Sequence, residues 1–330
     1  MRAATTLWTK MPELIIFIIA IAAVIVGADW LGNAATHIAN RLSLPRVIIG
    51  ATIISIATTL PEIVIATISG IEGSPQVGLG TVFGSPFANI GLIFGVLLLF
   101  SKVNIDKAYY ARTIQFFLIA LSFVFLISLG GSISRLFCVS LIMLGFIYLI
   151  IQSILGKQEE SIFEQLEHRF ERLRDFFTGS DNYQQIVYLI IGSLLLVLGA
   201  HFLVGSATTL ASVFGVPQIV IGLVVIALGT SLPEAFTAVN SIIKDRHGLS
   251  AGNLFGASVL DITFALGLAS IFNGTQIDPV TLYITVGGLA LLASISLLRV
   301  FEKIPPRLLG LLLVIGYLIF LVWFSNFGGT

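Results

Sequence analysis

The chain has 330 residues, of which 57% are hydrophobic and only 10% charged, with a mean hydropathy of +1.04. So little charge cannot clothe a soluble domain of this size in a polar surface, and the chain is placed in a bilayer. The formal net charge is zero, which leaves no electrostatic footprint for nucleic acid or an acidic soluble partner.

Apolar stretches long enough to cross roughly 30 Å of hydrocarbon recur ten times between short polar or Gly/Pro-marked breaks. In chain order they lie near residues 12–38, 45–71, 76–100, 109–129, 133–155, 184–212, 217–243, 249–272, 279–299 and 305–325. The first follows Lys10 as a signal peptide would, but it is long and lacks a small-residue cleavage site, so it reads as a retained helix. The single cysteine, Cys138, excludes an internal disulfide and reads as packing.

With the N-terminus outside, 14 of the 17 basic residues fall in inward loops, and only Arg2, Lys10 and Arg135 remain outside. The Lys/Arg bias orients helices during insertion. Both termini are therefore expected outside and the central loop in the cytoplasm, with the protein in the plasma membrane.

Sliding the sequence along itself by 172 positions, the offset that maps Glu62 onto Glu234, aligns Pro45 with Pro217, Gly50 with Gly222 and Gly84 with Gly256. Across residues 45–92 about 15 of 48 positions are identical without a gap, beyond what shared apolar composition gives. The chain is read as a duplication: residues 1–155, a linker over 156–183, and residues 184–330. Five spans per half is an odd number, so the second half enters the membrane from the opposite side. The expected fold is therefore an all-α integral membrane protein of ten transmembrane helices in two inverted-topology five-helix repeats. Inverted repeats place substrate near the midplane, where interrupted helices present backbone groups to ions.

Within the linker, Ile162, Phe163, Leu166, Phe170, Leu173 and Phe177 recur at helical spacing, with glutamates mostly on other faces. It reads as an amphipathic helix along the membrane surface. Its acidic residues lack the alternating ligands and central glycine of a calcium-binding loop, so they read as a solvated face.

The informative segments are Ala57-Thr58-Thr59-Leu60-Pro61-Glu62 and Gly229-Thr230-Ser231-Leu232-Pro233-Glu234, both inside apolar spans. An ionisable residue there is costly unless it faces a cavity, a partner or an ion. Pro61 and Pro233 donate no amide hydrogen bond and clash with the carbonyls of Ala57 and Gly229, so the second and seventh helices are expected to be discontinuous. Freed carbonyls, the Thr58, Thr59, Thr230 and Ser231 hydroxyls and two carboxylates make an all-oxygen cage suited to hard cations such as calcium or sodium. The kinked, flexible cage suits calcium better than the strict octahedron of magnesium, and no soft or imidazole ligand accompanies it for zinc, copper or iron.

The same offset pairs Asn89 with Asp261, in Gly84-Ser85-Pro86-Phe87-Ala88-Asn89 and Gly256-Ala257-Ser258-Val259-Leu260-Asp261. The glycines permit close backbone approach, which is expected to bring three carboxylates and one amide together. Interhelical bonding alone accounts for Asn89, but not for all four groups. Asp29 and His201 are a further symmetry-related pair, read as lying near a membrane interface, with proton carriage as the alternative.

On these motifs the chain resembles the calcium/cation antiporter superfamily, and within it the sodium/calcium exchanger branch with its microbial members. The resemblance covers nearly the whole length. It implies a central calcium site made by Glu62 and Glu234 with the carbonyls of Thr58 and Thr230. It also implies flanking sodium sites using the Thr58, Thr59, Thr230, Ser231 and Ser85 side chains and the carbonyls of Ser55 and Ala227, with Asn89 and Asp261 at the middle. It further implies that the first and sixth helices slide past the remaining core. Three positions depart from the family pattern: Ala57 replaces a glycine, Thr81 stands opposite Asn253, and Ala257 replaces a serine expected to serve one sodium site. Ser258 could substitute only from about 100° around the helix.

The reading is a secondary active antiporter exchanging sodium for calcium by alternating access, with calcium, sodium and the bilayer as partners and no cofactor. The alternative is a proton/calcium exchanger of the same fold, whose signature places a histidine after the glutamate, where Ile63 and Ala235 stand here. An intramembrane hydrolase needs a nucleophile with a base or an activating metal, and neither motif supplies a histidine. A cation channel is the remaining class.

Overall fold

The computed structural model describes residues 2–41, 54–100, 107–128, 134–155, 183–243, 247–272, 278–301 and 304–327. Every regular element among them is helical. The linker over 156–182 lies outside the described residues.

The described helices follow the expected order. They are α1 (Arg2–Arg41), α2 (Ile54–Ile71), α3 (Pro75–Phe100), α4 (Lys107–Ser128), α5 (Arg135–Leu155), α6 (Tyr183–Phe214), α7a (218–230), α7b (Leu232–Ile243), α8 (247–271), α9 (Pro279–Leu297) and α10 (Pro306–Phe327). Nine stretches among the described residues are long and apolar enough to cross a membrane. The tenth expected span, near 45–71, is described only from its Ile54 end and counts as a shorter apolar helix, Ser55–Ile71. Large aliphatic side chains face outward on these helices, Ile19 at 62%, Leu126 at 63% and Ile319 at 64% exposure among them. Such a surface is stable only against lipid tails.

Two separate apolar clusters hold the helices. One, built around Phe83, Phe87, Phe94, Tyr110, Phe117, Tyr148, Phe255 and Phe324, joins α3, α4, α5, α8, α9 and α10. The other joins α1 to α6 through Phe17, Ala20, Val24, Ala28, Leu196, Ala200 and Leu203, and touches the rest through Ile65, Val77 and Ile226. Small residues set the approach within α1–α6. A Cβ on Gly27 would stand 2.6 Å from the Leu196 nitrogen, and one on Gly199 would stand 3.0 Å from Val24. The 172-residue offset exchanges these two contacts, since it carries Gly27 onto Gly199 and Val24 onto Leu196.

The same exchange recurs deeper in the protein. A Cβ on Gly84 of α3 would meet the Ala227 side chain of α7a at 2.6 Å, and one on Gly256 of α8 would meet the Ser55 hydroxyl of α2 at 2.9 Å. Close backbone packing between small residues is how helices associate where lipid removes the hydrophobic drive. Wider π-type turns follow, over Phe87–Phe94 in α3 and Asp261–Ala265 in α8. They contain Asn89 and Asp261, and such turns concentrate at functional sites.

The two proline motifs fold differently. The seventh span breaks at Ser231, whose backbone (φ −79, ψ 2) separates α7a from α7b. The described part of α2 runs through Pro61 without a break, so discontinuity of the second helix is not seen there. Around Pro61 the Thr59 and Thr58 hydroxyls both reach the Ser55 carbonyl, at 2.7 and 3.4 Å.

Candidate ion-binding site

The α3–α7a and α2–α8 crossings bring the two motif helices and the two π-type turns against one another. Glu62, Glu234 and Asp261 are buried to 0%, 1% and 0% exposure. Glu234 faces both other carboxylates, and its side chain lies beside Thr58. Glu62 lies beside the Thr230 and Ser85 hydroxyls, and Asp261 beside Ser85. These neighbours stop short of hydrogen-bonding geometry: among the described residues, both oxygens of each of the three carboxyl groups are without a hydrogen-bond partner. Among the described residues, the groups acting on them include no basic side chain.

Ser85 is the hub of the neutral groups. Its hydroxyl accepts from Asn89 Nδ2 at 3.4 Å and from the Ser231 hydroxyl at 3.3 Å. The Ala227 carbonyl accepts from the Thr230 hydroxyl at 3.3 Å and from the Ser231 N–H at 3.0 Å. On the other flank the Ser55 carbonyl carries Thr58 and Thr59. The structure thus gathers Ser85, Asn89, Ser231, Glu62, Glu234 and Asp261 around one centre, with Thr58 and Thr230 at their side. It holds Thr59, Ser55 and Ala227 through backbone bonds in the same helices.

One expectation needs adjustment. The acidic groups face one another, but among the described residues no three His, Cys, Asp or Glu side chains gather on a single metal point. Any ion held here therefore draws on hydroxyl and carbonyl oxygens as well. The Ser258 hydroxyl, next to Ala257, donates to the Leu254 carbonyl at 2.8 Å, as serines on helices commonly do.

Asp29 and His201 lie away from this centre. Asp29 is exposed and accepts from Asn33 Nδ2 at 3.0 Å. His201 meets Glu72, just beyond the end of α2. One polar group beside the site went unread in the sequence: the Ser55 hydroxyl donates to Asn253 Oδ1 at 2.9 Å, linking α2 to α8. Its signal was a polar residue, Asn253, inside an apolar span.

The profile of the sodium/calcium exchanger protein family matches residues 13–154 and 184–326. Inner membrane protein YrbG of Escherichia coli (strain K12) is 28% identical over 317 residues, spanning 94% of this chain and 97% of its own. The sodium/calcium exchanger MaX1 of Methanosarcina acetivorans is 25% identical over 340 residues, spanning 93% and 97%. Among solved structures, one of the sodium-calcium exchanger NCX_Mj soaked with sodium and strontium superposes with a TM-score of 0.65 at 26% identity, over 94% of this chain and 97% of that one.

Proposed function

The chain belongs to the sodium/calcium exchanger protein family, a family of membrane transporters and not of enzymes, and from that premise we propose that it is a secondary active antiporter exchanging sodium for calcium by alternating access. The observation that carries this reading is the set of three buried carboxyl groups, Glu62, Glu234 and Asp261, with no hydrogen-bond partner and no basic neighbour among the described residues. Burying a carboxylate costs several kcal/mol unless a counter-charge offsets it. A hard cation supplies that charge and takes its remaining ligands from hydroxyls and carbonyls.

Calcium sits between Glu62 and Glu234, completed by the Thr58 and Thr230 carbonyls. Sodium occupies the flanks, through Ser85, Ser231 and the Ala227 carbonyl on one side and Thr59 and the Ser55 carbonyl on the other, with Asn89 and Asp261 between them. Both ions answer to the negative charge of the same buried carboxylates, calcium by direct ligation and sodium from the flanks, so they compete for it, which is the physical basis of exchange.

Residues 1–155 and 184–330 act as two five-helix repeats of opposite orientation, joined by a cytoplasmic linker over 156–183, with both termini outside the plasma membrane. Two observations support this arrangement: the family profile matches two separate segments, and the 172-residue offset exchanges the partners of Gly27 with those of Gly199 and of Gly84 with those of Gly256. The separate apolar cluster of α1 and α6 supports their moving as a unit against the remaining helices. The test is calcium uptake by proteoliposomes loaded with sodium. Uptake that follows the sodium gradient supports antiport; uptake driven equally by a proton gradient, or by no gradient, replaces it with proton exchange or a channel.

A further inference from the structure

The α1–α6 cluster meets the rest of the protein along aliphatic side chains, Ile65, Val77 and Ile226 among them. Apolar contact is non-directional, so this boundary permits sliding without fixing where it stops. A directional contact crosses the same boundary. Nδ1 of His201, midway along α6, meets Oε1 of Glu72, just beyond the end of α2. A hydrogen-bonded pair of this kind holds its partners within about 3 Å. Glu72 is firmly mounted: the Ser74 N–H donates to the Ser69 carbonyl at 2.9 Å around Gly73, whose φ of 74° is left-handed, as helices ending at a glycine commonly do. That turn leads directly into α3, so Glu72 is carried by the helices that hold Glu62 and Asn89. His201 lies beside the exposed apolar side chains Leu198 and Phe202, and an ionisable group on such a face is costly without a partner.

The duplication repeats the opposite charges with their signs exchanged. The 172-residue offset relates His201 to Asp29 and Glu72 to Lys244, so the symmetry-related positions again hold one acid and one base; Lys244 lies outside the described residues. The other charges around His201 are distant. α3 and α7a, which also border α6, carry no charged residue, and α6 itself adds only Tyr183 and Tyr188 as titratable groups. On the described part of α2 the one charged residue is Glu62, ten residues before Glu72, about 15 Å along a helix. The Gly27–Leu196 and Gly199–Val24 contacts set His201 level with Ala22 of α1. Asp29 and Glu13 therefore stand seven and nine residues away along α1, about 10 and 14 Å, and its remaining charged residues lie farther still.

We propose that His201 and Glu72 form a proton-dependent latch, which holds the α1–α6 pair in the position seen here and so slows its movement between the two access states. This rests on the antiport reading and adds two positioning residues to it, neither of which touches an ion. Imidazole takes up its proton as pH falls from about 8 to 5, a range in which a carboxyl group is ionised. The neutral ring joins Glu72 through a single hydrogen bond to the carboxylate. The protonated ring adds its charge, which makes the contact shorter and stronger. The latch therefore tightens in acid and loosens in base. Its side chains are 57% and 27% exposed, so it has the modest strength of a partly solvated pair, enough to bias a movement without blocking it.

The experiment is sodium-driven calcium exchange in proteoliposomes with equal pH on both sides, at about pH 6 and about pH 8.5, where imidazole is charged and neutral. It compares the unmodified chain, His201→Gln, Glu72→Gln, and the exchanged pair carrying His201→Glu with Glu72→Lys. At the lower pH each single variant is expected to exchange about two- to fivefold faster than the unmodified chain, and at the higher pH the three should converge. The exchanged pair keeps its charges throughout and should be slow at both. Protons also compete at the carboxylate centre, but they do so in every variant, so the difference between variants reads the latch. Calcium binding in detergent should be the same for all four proteins at each pH. Single variants that match the unmodified chain at the lower pH, run slower than it, differ from it equally at both pH values, or lose calcium affinity overturn the latch. Absence of sodium-driven exchange in the unmodified protein overturns the antiport reading and the latch with it, whereas exchange with identical pH profiles overturns the latch alone.

Discussion

Glu234→Gln preserves the size of a side chain that is 1% exposed and removes its charge. The unmodified carboxyl group faces Glu62 and Asp261 with no basic neighbour among the described residues, so in the ion-free protein it contributes repulsion, and with calcium bound it contributes attraction. The substitution should therefore act with opposite signs in the two states. Removing one partner of a buried charge pair costs about 3–5 kcal/mol, which at about 1.4 kcal/mol per factor of ten weakens calcium binding from roughly a hundredfold to several thousandfold. Calcium at about 100 times the dissociation constant stabilises the unmodified protein by about 2.7 kcal/mol. The same concentration lies near or below the variant's constant and stabilises it by less than about 0.5 kcal/mol. Thermal unfolding of purified protein across a calcium titration reads both terms. The variant should melt at or above the unmodified protein without ions and gain little on adding calcium. If its stability rises with calcium over a concentration range within threefold of the unmodified protein's, Glu234 is not a ligand.

Ala257→Ser restores a hydroxyl on the flank opposite Ser85 and should tighten the sodium dependence of exchange by about fivefold, one hydrogen bond's worth, with calcium affinity at low sodium little changed; superimposable flux curves would show that the gap is already filled. Gly84→Val should abolish folded protein, measured as recovery of a monodisperse peak, because even a Cβ there would stand 2.6 Å from the Ala227 side chain. Gly205→Ala, with nothing within 4 Å of its added Cβ, should be recovered normally, and equal recovery of the two would contradict the crossing described. In a Cys138→Ser background, a cysteine at position 167 should be labelled from the cytoplasmic side only and one at position 330 from outside only; the reverse pattern would overturn the charge-based orientation.

The helical spans were legible because burial in lipid demands long apolar runs, although α1 begins at Arg2, well ahead of the expected start near residue 12. The motif residues were legible because intramembrane Glu62, Glu234 and Asp261 carry a cost that needs a reason. The continuity of α2 through Pro61 was not, since the missing N–H and the clash with the Ala57 carbonyl argue for a break, and only the packing of the surrounding helices decides whether the chain takes it. Ser258 was equally opaque: its bond to Leu254 is a rotamer choice that spacing cannot reveal.

The central claim is that the buried carboxylates bind calcium in exchange for sodium. Its most direct test is calcium uptake by proteoliposomes holding the purified protein, with internal sodium varied and the proton gradient clamped to zero. The account predicts uptake that rises with the outward sodium gradient, stops when the gradient is abolished, and vanishes in Glu62→Gln and Glu234→Gln. Uptake that persists without a sodium gradient, or that follows an imposed proton gradient instead, would contradict it.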